Sequence, residues 1–305
     1  MAVITTGSFP KALAPGVKAW WGMDYPTHQD EHLDLFDKTD SDRAYEEYVQ
    51  ATDFPLAPVK AQGGSVLYAD HQQGITTRVT NIQYALGYVV TYEEIKNNLY
   101  MKVAKRRTQA LRFSFHTTKQ TVAANVYNRA FNSSYTFGDA KELVATDHPN
   151  TLGGTFSNEL SPAADLSETA IEDLVIQLMG ATSDAGNQIA LKPQSLIVPR
   201  QLWFEANRIV KSVLQNDTAN NAVNVLNSTN AFPGGIKMNH YLTDADAWFI
   251  RTNLPGDTGL IYQEREALEF DTDNDFDTKN FKAKGYEDYA FSAVDPRAVF
   301  GSQGA

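Results

Sequence analysis

Residues 91–131, TYEEIKNNLYMKVAKRRTQALRFSFHTTKQTVAANVYNRAF, decide how the rest of the chain is read. Thr91 followed three residues later by Glu94 forms a capping box, and Val90 and Ile95 sit where a hydrophobic staple fixes the chain entry. From Ile95 to Gly138 there is no Asp or Glu, and neither Pro nor Gly intervenes before Gly138. The pattern predicts one helix over 92–131. At 1.5 Å per residue, about 40 residues make a rod of about 60 Å, whereas a compact chain of this length is only about 50 Å across. Such a helix implies a flat or extended subunit that completes its burial against neighbours.

Charge is a second signal. The net charge is −11, but the signs are segregated. Residues 24–53 hold ten acids against Lys38 and Arg43, while the 95–138 stretch holds eight Lys or Arg. Blocks of opposite sign suggest complementary surfaces, within one subunit or between copies. The basic residues point around the helix and form no continuous face of the kind that reads base edges, so docking on acidic protein surface is favoured over sequence-specific DNA binding. Trp20, Trp21, Asp34, Asp37, Lys60, Arg106 and Arg107 are the candidate subunit-interface residues. In particular, acids among residues 30–47 are expected to dock near the basic helix, on an adjacent subunit. The chain lacks cysteine, an 18-residue apolar run and a signal-peptide pattern, which fits a cytoplasm-like compartment and no membrane span.

Residues 1–53 read as an arm with weak periodicity. Residues 54–90 read as an extended β loop punctuated by Pro55, Pro58, Gly63, Gly64 and Gly74, with β-favouring runs at 75–80 and 88–91 forming a strand pair. Residues 91–165 continue from the long helix. Residues 166–255 show an ordinary α/β pattern: Ser167 caps a helix with the stripe Ile171, Leu174, Val175 and Leu178, ended by Gly180. Residues 195–198 form a buried strand, and Pro199 opens a helix with the stripe Leu202, Ala206, Ile209, Val210 and Val213. Strands follow at 236–242 and 247–252. Residues 256–305 read as long strands joined around 271–277.

The candidate chemical motifs are incomplete. Asp271, Asp273, Asp275 and Asp277 start like a calcium loop, but Phe276 occupies the sixth position and Lys282 the twelfth, where Gly and a bidentate Glu belong. His28 and His32 lack the order of a zinc hydrolase motif and read as exposed arm residues. The Gly pairs match no phosphate or dinucleotide loop, and no nucleophile elbow occurs. The chain is therefore expected to be no enzyme and to use no cofactor or metal.

Four runs then carry a resemblance: LGYVVTYEEIKNNLY at 86–100, TDHPNTLGGTFSN at 146–158 with LSETAIEDL at 166–174, LKPQSLIVPRQLWFEA at 191–206, and FKAKGYEDYAFSAVDPRAVFGS at 281–302. In this order the chain resembles the major capsid proteins of tailed bacteriophages, the Hong Kong 97-type shell fold also used by encapsulins. The resemblance implies an α+β subunit with an N-terminal arm (1–53), an extended loop (54–90), a peripheral domain with a spine helix (91–165), an axial domain (166–255) and return strands of the peripheral domain (256–305). It also implies a virion shell of hexamers and pentamers around double-stranded DNA contacted non-specifically, assembled in the host cytoplasm with a portal and, in some relatives, a decoration protein. The arm has no long charged coiled-coil preface, so a separate scaffolding protein is implied. Some relatives join subunits through a Lys–Asn isopeptide bond; Lys60 lies in the loop, but no motif marks an Asn partner, so crosslinking is not expected. An encapsulin-like compartment for protein cargo is the nearest alternative, and an acidic α/β enzyme with no site to name is the alternative of another class.

Overall fold

A computed structural model describes residues 29–97, 100–215 and 222–305; Trp20, Trp21 and His28 lie outside the described residues. The described residues begin with a one-turn helix α1 (His32–Leu35), then β1 (Asp37–Asp40), β2 (Tyr45–Ala51), β3 (Gln73–Thr80) and β4 (Ile82–Val90). The capping box at Thr91 is present, with Glu94 N–H bonded to the Thr91 hydroxyl and the Glu94 carboxylate accepting the Thr91 N–H. It opens only a short helix, α2 (Tyr92–Lys96), which Asn97 closes. The long helix α3 (Tyr100–Asn128) is separate and has 29 residues. The single 92–131 helix is thus corrected to two. Asn is a weak helix former that competes for backbone hydrogen bonds, and it ends α2. At about 44 Å, α3 fits inside a compact subunit, so its length no longer argues for burial by neighbours.

The remaining elements are β5 (His148–Pro149), β6 (Thr155–Phe156), α4 (Glu168–Met179), β7 (Pro193–Pro199), α5 (Trp203–Lys211), α6 (Val225–Ser228), β8 (Ile236–Asn239), β9 (Trp248–Thr252), β10 (Leu260–Asn274), β11 (Phe281–Ala293) and β12 (Val299–Ser302). Pro199 ends β7 instead of opening a helix. A turn intervenes before α5, and Val213 falls beyond its end, exposed.

Two four-stranded sheets organise the subunit. One has the order β1–β10–β11–β4, the other β12–β9–β7–β8. The second sheet is buried on both faces, and its side chains alternate as a pleat requires. Ile197, Phe249 and Val299 enter one core with Tyr127, Leu143, Tyr262 and Tyr289. Leu196, Trp248, Ile250 and Phe300 enter a second core beneath α4 and α5, with Ile171, Leu174 and Ile209. The α4 stripe is buried as its periodicity predicts, and Ser167 accepts the Ala170 N–H at its start.

Helix α3 packs across β11, and Gly285 makes that approach possible, because a Cβ there would overlap the ring of Phe115. The described part of the arm, residues 29–53, is more ordered than its sequence suggests. β1 pairs parallel with β10, from Asp37 opposite Ile261 to Asp40 opposite Glu264. The strands β3 and β4 do not pair with each other as expected: β3 pairs with β2 and β4 with β11. Between β2 and β3 the chain leaves the body as an irregular excursion, pinched at its base where Thr52 N–H donates to Gln72 O at 3.0 Å and Gln72 N–H to the Thr52 hydroxyl at 3.0 Å.

Candidate assembly surfaces

The excursion spans residues 53–71. Its backbone makes one internal turn, Gly64 N–H to Ala61 O, and touches the body where Asn187 donates to Phe54 O at 2.8 Å. Its apolar side chains lie in solvent: Val59 is 100% exposed, Tyr68 91% and Leu56 81%. Lys60 is exposed among them. A monomer gains nothing by holding such a set in water.

The arm acids take partners within the chain. Asp34 pairs with Lys237 at 2.6 Å and Asp37 with Arg251 at 2.6 Å, both on the β7–β9 sheet. Glu31 accepts from His240, through the ring and through the backbone N–H at 2.9 Å. Within their own subunit Asp34 and Asp37 thus face basic residues far along the sequence, which the segregation of charge did not reveal. Asp30 reaches α3, 3.4 Å from both His116 Nε2 and Gln120 Nε2.

The basic residues of α3 divide. Arg106 is exposed. Arg107 folds back on the α2 cap, donating to Glu94 at 2.9 and 3.1 Å and to Val89 O at 2.8 Å. These hydrogen bonds hold the Glu94 carboxyl below its usual range. Lys119 pairs with the buried Glu287 at 2.8 Å, yet burial still raises the Glu287 pKa, since desolvation outweighs the attraction.

Three buried polar centres were not legible beforehand. His32, read as an exposed arm residue, is 4% exposed, with its ring edge-on to Tyr262. Gln120 Oε1 accepts the His32 backbone N–H at 2.9 Å, so its amide nitrogen donates to His32 Nδ1 at 2.8 Å, and that nitrogen must keep its lone pair. Burial lowers the His32 pKa to about 4, against the opposing pull of Asp30. His148 lies between Asp139 at 2.5 Å and Asn158 Oδ1 at 3.0 Å. Asn158 in turn donates to the carbonyls of Leu143, Pro296 and Val299 and accepts the Ala145 N–H. Arg297 bonds Asp184, Asn150 and Thr182 O, tying the β5–β6 turn to the lobe. No nucleophile is poised in these centres; their geometry is that of structural clamps. At the β10–β11 tip, Asp275 is paired with Lys282 at 2.8 Å, and among the described residues no three His, Asp or Glu side chains gather as a metal site.

The family model described as phage capsid protein matches residues 74–301, which is β3 through β12 without the arm and excursion. No curated protein matches. Among solved structures, the chain is similar to the procapsid protein of bacteriophage JBD30, with a TM-score of 0.54, 14% identity, and coverage of 98% of this chain and 76% of that one. It is similar to a Mycobacterium phage Che8 chain, with a TM-score of 0.53, 12% identity and 90% of each chain covered. It is also similar to a virus-like particle protein from Pyrococcus furiosus, with a TM-score of 0.50, 12% identity, and coverage of 94% and 97%. At these identities the structural likeness speaks for the α+β fold, and the family match covers three quarters of the sequence, including all or part of each of the four runs quoted above. The chain belongs to the phage capsid protein family.

Proposed function

We propose that this chain is the major capsid protein of a tailed bacteriophage head, a Hong Kong 97-type subunit that assembles into hexamers and pentamers of an icosahedral shell around double-stranded DNA. Its role is architectural, not catalytic. The observation that carries this reading is the excursion: a capsid-family chain holds large apolar side chains fully in solvent at the end of a narrow pinch. Covering them with a neighbouring copy recovers about 1.5–3 kcal/mol for each large side chain buried.

The β7–β9 lobe adds support for a ring of copies. Over β12, α4 turns Asp173, Ile176 and Met179 to solvent; over β7 and β8, α5 turns Phe204, Arg208 and Lys211 outward. Two flanks with shared apolar character and opposite charge suit a head-to-tail contact that closes around an axis. A separate scaffolding protein, a portal and non-specific contact with packaged DNA complete the proposal, and a decoration protein is compatible with it. Assembly takes place in the host cytoplasm and the product resides in the virion.

Electron microscopy of particles formed by the chain with its scaffold tests the proposal. A shell is expected, and replacing 54–71 by a short Gly-Ser turn should leave the lobe folded while abolishing shells. Compact 34-kDa monomers under every assembly condition would refute it. The second reading is an encapsulin-like compartment for protein cargo; a closed shell with protein cargo and no portal would establish that one instead.

A further inference from the structure

The β10–β11 hairpin ends in a side chain that its own subunit does not use. Phe276 is 95% exposed at the tip, between Asp275 and Asp277. Asp275 is engaged by Lys282, whereas Asp277 is exposed and pairs with no cation among the described residues.

At the other end of the same sheet lies a groove of about 480 Å³. Its walls include Ile82, Tyr84, Val126 and Phe137, and two cations, Arg78 and Arg129, stand on its rim. Each guanidinium sits over a tyrosine, Arg78 at 3.6 Å from the Tyr45 ring and Arg129 at 4.2 Å from the Tyr135 ring. Among the described residues neither has a carboxylate partner. The groove therefore combines an apolar floor, room for an aromatic ring and two cations free to meet acids. The hairpin tip offers an aromatic ring flanked by acids.

Within one subunit the two cannot meet. The groove takes its β11 side chains from Tyr289–Ser292, and the tip begins before Phe281. About nine residues of extended strand separate them, about 30 Å. We propose that Phe276 of one copy seats in the groove of a second copy, with Asp277 facing Arg78 and Arg129. The inference rests on the shell reading and adds a specific contact to it. Because knob and hole are different surfaces, the contact is heterologous and links copies in series or around an axis.

The absence of cysteine makes the test clean. Particles of the Phe276→Cys/Ile82→Cys double variant, mildly oxidised, should yield a covalent ladder of three or more copies. Each single variant should remain monomeric on a denaturing gel, and co-assembling the two singles should give linked dimers. If wild-type particles form but neither the double variant nor the mixed singles crosslink, the contact is wrong and the shell reading stands. Dimers from Phe276→Cys alone would place tip against tip and overturn the contact as well. If the wild-type chain forms no particle with scaffold, the shell reading falls and this contact with it. A second variant, Phe276→Asp, changes only an exposed tip, so its thermal unfolding should match wild type while particle yield drops about tenfold. Undiminished yield would overturn the proposal.

Discussion

The β7–β9 lobe and the 53–71 excursion carry similar kinds of side chain and dispose of them in opposite ways. In the lobe, Ile171, Leu174, Trp248 and Phe300 are fully buried between a sheet and two helices. In the excursion, Leu56, Val59, Leu67 and Tyr68 meet water. The lobe spends its apolar surface on the subunit's own stability. Under the shell reading proposed above, the stability that the excursion confers appears only when copies meet, and one chain separates folding from assembly by placing the two burials on different segments.

The largest expected effect tests that separation directly. Trp248→Ala removes a fully buried ring, together with its hydrogen bond to Ala164 O, and should cost about 3–5 kcal/mol of subunit stability by denaturant unfolding. Tyr68→Ala with Leu67→Ala should leave that unfolding curve unchanged within about 0.5 kcal/mol and still reduce particle yield sharply. If the excursion pair destabilised the monomer as much as Trp248→Ala, the two regions would not be separate in the way described.

The arm root lies between these extremes, buried but polar. Its His32 faces Asp30 from its own segment, His116, Lys119 and Gln120 from α3, Tyr262 with Glu264 from β10, and the Lys119-paired Glu287 from β11. Its pKa in the folded state, about 4, lies below the ordinary 6.5. Between these values the unfolded chain binds a proton that the folded chain refuses. The contribution is therefore complete above about pH 6.5 and is lost as pH falls toward 4, by about 3 kcal/mol in all. Titrating subunit stability from pH 7 to 4.5 should show this slope, and His32→Asn should flatten it. An equal slope in both proteins would mean that other groups carry the acid sensitivity.

A smaller effect separates the lobe from the β5–β6 turn that leans on it. Asn158→Ala strips the partners from three buried carbonyls, from the Ala145 N–H and from His148. The expected loss is about 2 kcal/mol, and hydrogen exchange should speed at residues 145–158 before it speeds in β7 or β9. Uniform acceleration across the lobe would show that the clamp and the lobe are one cooperative unit.

What the sequence revealed follows the same division. The α4 stripe, the β7 run and the β10–β11 pair were legible because their periodicity is local and their burial one-sided or complete. The strands β1 and β2 were not. The sequence Tyr-Glu-Glu-Tyr-Val-Gln-Ala of β2 is half polar, and β1 gains its identity from β10, more than 200 residues away. The break at Asn97 was legible in principle from Asn97 itself and was overridden by the charge pattern. Burial of His32 was not legible, because Gln120 and Tyr262 supply it from distant positions. Phe276 showed only as a flaw in a calcium loop; its exposure is what gives it a use.

The smallest effect concerns the ion pairs that fasten the arm to the lobe. Asp34 and Lys237 are both partly exposed, with side chains 41% and 33% accessible, and such pairs are worth about 0–1 kcal/mol after screening. Charge segregation suggests that acids among residues 30–47 dock near the basic helix of an adjacent subunit. The observed geometry makes a different demand. Lys237→Asp should be compensated by Asp34→Lys, with a coupling of about 0.5 kcal/mol in a double-mutant cycle, shrinking as salt shortens the Debye length from about 10 Å at 0.1 M to about 3 Å at 1 M. Arg107→Glu should not be rescued by either arm reversal, since its partner is Glu94 in the cap of α2; Glu94→Lys is the change that should restore it. A measurable coupling between Arg107 and Asp34 in assembled particles, absent in the free subunit, would instead place that pair across an interface and return the charge blocks to the role of joining copies.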